Sequence, residues 1–462
     1  MEENGKLLTT NYSCLRYLQK IVHFDLKGAA PKTSYIVQLI PFLKALGVDG
    51  ILMEYEDMFP YTGNLEALRR PEAYNQTEIS EIVEVAQQND IEIIPLIQTF
   101  GHLEFVLKHI KFVHLREVPY FADTICPTDD ESFQLITEML SQVYRLHTNS
   151  STIHIGADEA YHVAKDHRCK RKLATVLQDS VDRLKLWHIT RVANQAKKIG
   201  FRNVWAWNDM FGETPADLLN EFHMGEVLTP VVWGYARDVT VPGYFPPNMF
   251  QRYASVFESL LFGSAFKGAN GMTNAFIDVF RYLENQISYV ELLRMHRNTL
   301  EGKVKGIILT GWQRYNHFSA LCELLPVGIP SLVLALHFLN NVELTTPTLL
   351  RMAQESLGCS VTTTEPVITS EPENSTTPKY VKSAFLNGNF PGNEVFDLVE
   401  ELRSLTAFVY EPNLPKNVKL KLYQDIAVLE RKIRDQFQTF FKPNTIDEFI
   451  MQNVEPLKVQ IY

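Results

Sequence analysis

Eight short apolar runs, each followed by a polar or helical stretch, constrain this chain more than any other feature. They lie at 21–26, 50–55, 91–97, 152–156, 203–208, 229–235, 260–266 and 305–311. Segments with the 3.6-residue spacing of an amphipathic helix stand between them, at 34–46, 78–87, 131–146, 181–198, 275–296 and 321–339. Strand–helix alternation predicts a parallel sheet covered by helices. Eight such units over about 320 residues predict an α/β fold of the (β/α)8 TIM-barrel type at 21–345. A doubly wound open sheet is the competing architecture, but no glycine-rich phosphate loop follows the first run.

Beyond the barrel the pattern changes. Residues 359–381 are crowded with Thr, Ser, Glu and Pro, the composition of a flexible segment. Residues 382–462 return to helical spacing, with stripes Val395/Leu398/Leu402 and Leu422/Ile426/Leu429/Ile433. The stripes predict a helical region packing on the barrel, and a partner-binding coiled coil is the other reading. Residues 1–20 form an N-terminal segment with no apolar core of a secretory signal.

Several classes of function are disfavoured. The net charge is −10 with no basic stripe, so nucleic acid has no electrostatic footprint. No apolar run reaches the roughly 18–20 residues of a membrane span. The cysteines (Cys14, Cys126, Cys169, Cys322, Cys359) are odd in number and lack CxxC spacing. They read as reduced thiols rather than a disulfide framework or zinc site, which suits cytoplasm and nucleus. In that setting the sequons at Asn11, Asn75, Asn149 and Asn374 are chance matches. No His/Asp cluster has metal-ligand spacing, so neither a catalytic metal nor another cofactor is expected.

In a barrel enzyme the residues just past the strands meet the substrate. The fourth run continues into Gly156-Ala157-Asp158-Glu159. Neighbouring strand residues face opposite sides, so both acids reach one pocket only if the strand breaks at Gly156 or Ala157. The plain alternative is an acid pair at a helix N-terminus. Aromatic residues favour the first reading: Trp205 and Trp207 precede Asn208-Asp209, Trp233 and Tyr235 close the sixth run, and Trp312 follows the eighth. Aromatic faces with a few polar groups are what a pyranose ring needs.

The run HIGADEA (154–160), with VHFDLKGAAPK (22–32), MEYEDMFPY (53–61), PLIQTFGHLEFVLKH (95–109), SAFKGA (264–269) and GIILTGWQRYNH (306–317), resembles the family-20 glycoside hydrolases, the β-N-acetylhexosaminidases, in their nucleocytoplasmic branch. The resemblance covers about 20–340. It implies an exo-acting, retaining enzyme in which the substrate's own acetamido oxygen attacks C1. Glu159 would then be the acid and base, with its pKa raised by burial. Asp158 would hold the acetamido N–H, Tyr235 its oxygen, and Trp207, Trp233 and Trp312 its methyl group. His102 would orient Glu159, with Glu56 or Asp57 as a second member. Asp209, Asp25 and Gln98 are further substrate-binding candidates. The family's Arg after the first strand is replaced by Asp25-Leu26-Lys27, and its acid after the strand-8 Trp by Gln313-Arg314. These departures leave the galacto or gluco preference open.

His23 and His154 read as core histidines, Asp25 equally as a brace of the barrel mouth, and Lys267 and Arg314 as partners of acids. The expected partner is a small molecule or glycoconjugate ending in β-linked N-acetylhexosamine, and homo-oligomerisation stays open. The competing functions are a silent glycan-binding barrel and a two-carboxylate barrel glycosidase.

Overall fold

The computed structural model describes residues 18–360 and 383–461. Most of 1–20 and of the Thr/Ser-rich segment lie outside them, as do Cys14, Asn11 and Asn374.

Eight parallel strands close a barrel: β1 (Gln19–Asp25), β2 (Gly50–Glu54), β3 (Glu92–Leu96), β4 (Thr152–His154), β5 (Asn203–Trp207), β6 (Thr229–Trp233), β7 (Leu260–Lys267) and β8 (Val304–Gly311). Each pairs with the next in sequence, and β8 pairs with β1 through Ile308 and Ile21. All eight apolar runs are barrel strands, so the open sheet is excluded.

Alternation along each strand sorts the side chains. Ile21, Leu52, Ile94, Leu96, Trp205, Trp207, Val231, Leu261 and Ile308 fill the barrel interior. Val22, Phe24, Ile51 and Met53 point outward into a second core beneath the helices. The period of two continues the inward set of β1 and β2 to His23 and Glu54, which carries charge to the barrel mouth.

The helices begin where their caps dictate. Asp278 accepts from the Arg281 N–H, so that helix starts at Val279 rather than 275. Asn75 and Glu78 form a capping box. Pro326 in the first turn sets the start of Leu325–Asn340. An antiparallel hairpin, Arg116–Val118 with Phe121–Ile125, sits between β3 and β4 and was not expected. Its strands, Arg-Glu-Val and Phe-Ala-Asp-Thr-Ile, contain no continuous apolar run like those of the barrel.

Four C-terminal helices follow: Asn393–Val409, Lys416–Phe437, Pro443–Asn453 and Glu455–Ile461. Both apolar stripes are buried, leaving no free coiled-coil seam there. The Lys32 N–H donates to Phe440 O (2.7 Å), the Thr445 hydroxyl to Gly28 O (3.0 Å), and Arg314 pairs with Glu448 at 2.6 Å. The last helices therefore rest on the loops after β1 and β8, at the C-terminal end of the barrel strands. No helix among the described residues is long and apolar enough to cross a membrane.

Candidate active site

The hydrogen bonding of β4 continues past His154 through Ile155 N–H to Trp205 O (2.8 Å) and Trp207 N–H to Gly156 O (3.0 Å). The backbone then turns left-handed at Gly156 (φ 61°), Ala157 (φ 69°) and Glu159 (φ 47°). Those angles are costly for L-residues and mark a site held in place by its surroundings. They break the alternation and bring Asp158 and Glu159 to one cavity. A close backbone approach seals the turn: a Cβ on Gly101 would lie 2.1 Å from Asp158 O, so only glycine fits.

The two carboxyls differ in environment. Asp158 is buried, whereas the Glu159 side chain is 30% exposed. His102, itself left-handed (φ 51°), places Nε2 3.0 Å from Glu159 Oε2 and 3.5 Å from Asp158 Oδ2. The Tyr161 hydroxyl donates to Glu159 Oε1. The Glu159 backbone N–H (2.8 Å) and Trp233 Nε1 (3.1 Å) both donate to Asp209. Asp158 Oδ1 is buried with no hydrogen-bond partner among the described residues. Burial pushes the Asp158 carboxyl up to about 7, against the pull of His102. His102 is raised to about 10, because Asp158 and Glu159 outweigh its own burial. Glu159 departs from the expectation. Burial pushes it up, but the hydrogen bonds from His102 and Tyr161 prevail and its pKa is lowered.

The cavity, about 310 Å³, has aromatic walls. Trp233 and Tyr235 stack with centroids 5.1 Å apart, and Trp207 and Trp312 meet at 5.9 Å. The indole Nε1 atoms of Trp207 and Trp312 are buried and unpartnered among the described residues. Arg314 and Lys27 also line the cavity. Lys27 is 3.0 Å from Glu54 and 3.1 Å from Asp25, with Nζ 5.3 Å from the Trp312 ring centre.

Of the residues expected from sequence, Asp158, Glu159, His102, Trp207, Trp233, Tyr235 and Trp312 converge on the cavity. Asp25, Gln98 and Asp209 do not line it. Asp25 accepts from the Gln313 (2.8 Å) and Lys27 (3.0 Å) N–H groups and braces the mouth. Gln98 packs beside Gly156 and donates to Glu54 at 3.4 Å. Asp209 stands behind Glu159 and Trp233 as their acceptor. Glu56 and Asp57 do not reach Glu159 either. A short 3-10 turn (Glu56–Met58) carries them to His317 (2.8 Å) and Lys108 (3.0 Å). Lys267 donates to the Trp312 and Gln313 oxygens (2.7 and 3.3 Å) instead of an acid, and burial lowers it to about 8. His23 bonds Glu54 (3.0 Å), and His154 receives the Gly156 N–H (3.0 Å).

Glu54 is the residue the sequence reading missed. It lines the cavity at the end of β2, and although burial pushes its carboxyl up, Lys27 and His23 hold it far below the carboxylate range. An anion permanently presented there suits a sugar hydroxyl. Its signal was available: it continues the inward period of Leu52 as the last residue of β2, whereas Glu56 lies past the end of the strand in the 3-10 turn. Tyr244 and Tyr315, on loops without periodic signal, and Arg281, in the first turn of the helix that starts at Val279, also line the cavity.

Removing the His102 charge should raise the pKa of both neighbouring carboxyls. His102→Asn is therefore expected to lower kcat and move the alkaline limb of the pH–rate profile to higher pH. An unmoved limb would show that His102 does not set the protonation of the acid pair.

An acid pair at a barrel strand end and an aromatic-walled cavity that also presents the Glu54 carboxylate are the features of a barrel glycoside hydrolase. Residues 54–233, from the Glu54 anion to Trp233, match the catalytic domain of glycosyl hydrolase family 20. The chain is 36% identical to human hexosaminidase D over 95% of its own length and 92% of that protein's. It is 42% identical to bovine hexosaminidase D over 69% of this chain and 91% of that one. The chitobiase of Flavobacterium johnsoniae shares the fold, with a TM-score of 0.55 at 12% identity, covering 96% of this chain and 71% of that one. The chain belongs to glycosyl hydrolase family 20.

Proposed function

We propose that this β-N-acetylhexosaminidase removes terminal, non-reducing β-linked N-acetylgalactosamine or N-acetylglucosamine with retention, using the substrate's acetamido group as nucleophile. The observation that carries the reading is the buried, unpartnered Oδ1 of Asp158, one residue from a partly exposed Glu159 on the same cavity wall. An orphan buried carboxylate oxygen calls for a donor, and an acetamido N–H is one. Glu159 passes a proton to the glycosidic oxygen while the acetamido oxygen attacks C1 and the C1–O bond breaks. Asp158 stabilises the positive charge that spreads over the oxazolinium ring. Glu159, now a carboxylate, takes a proton from water as that water attacks C1 and opens the ring.

The lowered pKa of Glu159 fits a site awaiting substrate. Displacing water from its exposed side raises the pKa, and His102 at 3.0 Å holds a proton in reach. Asp158, Glu159 and His102 titrate as one cluster, so activity should fall as pH rises through the range in which that cluster loses its transferable proton. Tyr235, on the cavity wall, is assigned the acetamido oxygen, and Trp207, Trp233 and Trp312 are assigned its methyl group. Glu54, Lys27 and Arg314 remain for the outer hydroxyls.

A silent glycan-binding barrel is not favoured, since a binder has no use for an acid opposite an acetamido clamp. Hydrolysis of nitrophenyl N-acetylhexosaminides, set beside the plain hexosides, tests the reading. Turnover should be confined to acetamido substrates, and equal turnover of both would remove the substrate-assisted route. We place this activity in cytoplasm and nucleus, a reading supported by four buried free thiols. Glycans found on Asn75 or Asn149 in protein isolated from cells would contradict it.

A further inference from the structure

Cys126 and Cys169 are 43 residues apart, beyond any spacing that a sequence motif reports. Cys126 follows the second strand of the hairpin, and Cys169 lies in the first turn of the helix His167–Val176. The fold brings their sulfurs to 3.6 Å. Glu117, on the first hairpin strand, places Oε2 3.2 Å from Cys169 Sγ. The Thr128 hydroxyl lies 3.4 Å from Cys126 Sγ and 3.3 Å from Cys169 Sγ. Glu117, Cys126 and Cys169 are all buried, and one donor atom of each lies within 4.8 Å of the others.

From these contacts we propose that Glu117, Cys126 and Cys169 form a structural site for a divalent cation of the zinc class, its fourth position facing the Thr128 hydroxyl. Tetrahedral zinc, with bonds of about 2.3 Å to sulfur and about 2.0 Å to oxygen, separates two sulfurs by about 3.8 Å and sulfur from oxygen by about 3.5 Å. The observed edges of 3.6 and 3.2 Å need to open by only a few tenths of an ångström. The two thiolates are the soft donors that such an ion selects over magnesium or calcium, and a carboxylate oxygen is a further ligand that zinc accepts. Binding releases both thiol protons to solvent and leaves the site at net −1. The helix N-terminus at Cys169 and the Arg168 charge, which is felt at Cys126, offset that charge.

Glu117 separates this site from a disulfide pair. Its Oε1 accepts the Lys165 (2.7 Å) and Asp166 (3.0 Å) N–H groups, while Oε2 takes the Cys169 thiol proton. A disulfide would remove that donor and leave a buried carboxylate oxygen unpaired, whereas a cation replaces it. The same two N–H bonds tie the cluster to the end of the loop that carries Glu159 and Tyr161. The ion would thus fasten hairpin, loop and helix together beside the active site without touching the sugar.

The inference stands independently of the glycosidase reading and is tested without activity. Full-length protein freed of metal is titrated with Co²⁺ under reducing conditions. The expected result is about one ion per chain, with the near-ultraviolet thiolate-to-cobalt absorption of a tetrahedral site. Zinc should displace the cobalt and raise the melting temperature. Cys359→Ser should keep the absorption, and Cys169→Ser and Cys126→Ser should lose it. The wild-type titration is decisive even if those variants fold poorly. Absence of the charge-transfer band, or a Cys126–Cys169 disulfide mapped in protein purified without reductant, overturns the proposal.

Discussion

Glu159→Gln is expected to lower kcat about 10²–10⁴-fold on N-acetylhexosaminides with alkyl or sugar aglycones, because the amide keeps the shape of the acid but has no proton to transfer. Substrates whose leaving group departs without a proton, such as dinitrophenyl glycosides, should lose far less in the first step. The dependence of log kcat on leaving-group pKa should steepen accordingly. The hydrogen bonds of Glu159 sharpen the expectation. His102 Nε2 and the Tyr161 hydroxyl both donate to its carboxylate, and a Gln amide satisfies only one of them through oxygen. The variant therefore also disturbs His102, and part of the loss should persist with good leaving groups. A wild-type rate on alkyl glycosides would remove Glu159 from the acid role.

Asp158→Ala should cost on the order of 10²–10³ in kcat, with a much smaller change in KM, because its interaction strengthens as positive charge appears on the oxazolinium ring. A stable thiazoline analogue of that intermediate should bind the wild type tightly and lose most of its advantage over the product sugar in the variant. Asp158 is buried, and Gly101 packs against its backbone oxygen. Melting temperature should be measured alongside, so that a folding defect is not read as a chemical one. If a fluorinated sugar without the acetamido group labelled a carboxylate covalently, the enzyme would own its nucleophile and the role given to Asp158 would fall.

The acid pair illustrates how far residues alone can lead. Its position at the end of a barrel strand follows from the alternation of apolar runs, and the need for a backbone break follows from the two-residue period. Which acid carries the proton does not follow. Burial of Glu159 suggested a raised pKa, but two hydrogen-bond donors reverse the direction, while Asp158 is pushed up to about 7. Such donors come from His102 and from Tyr161, and only folding brings the first across 57 residues. The same distinction explains Glu54 against Glu56. Both are buried acids near the end of β2, yet Glu54 is the strand's last residue and lines the cavity, whereas Glu56, in the turn that follows, is a partner of His317.

By itself the sequence determined the barrel and the strand end at which Asp158 and Glu159 stand. The period of two in eight strands and of 3.6 between them is a local property, as are the caps at Asn75 and Asp278. Aromatic residues at strand ends are equally local, since a barrel strand carries its last residues to one rim. Tertiary structure decided everything that depends on charge meeting charge across the chain. It excluded Asp25, Gln98 and Asp209 from the cavity and enclosed Glu54 between Lys27 and His23. It joined Arg314 to Glu448 across 134 residues and gathered Glu117, Cys126 and Cys169. The reason is physical: hydrophobic periodicity is read within one turn or strand, whereas burial and electrostatic partners exist only after distant segments have packed.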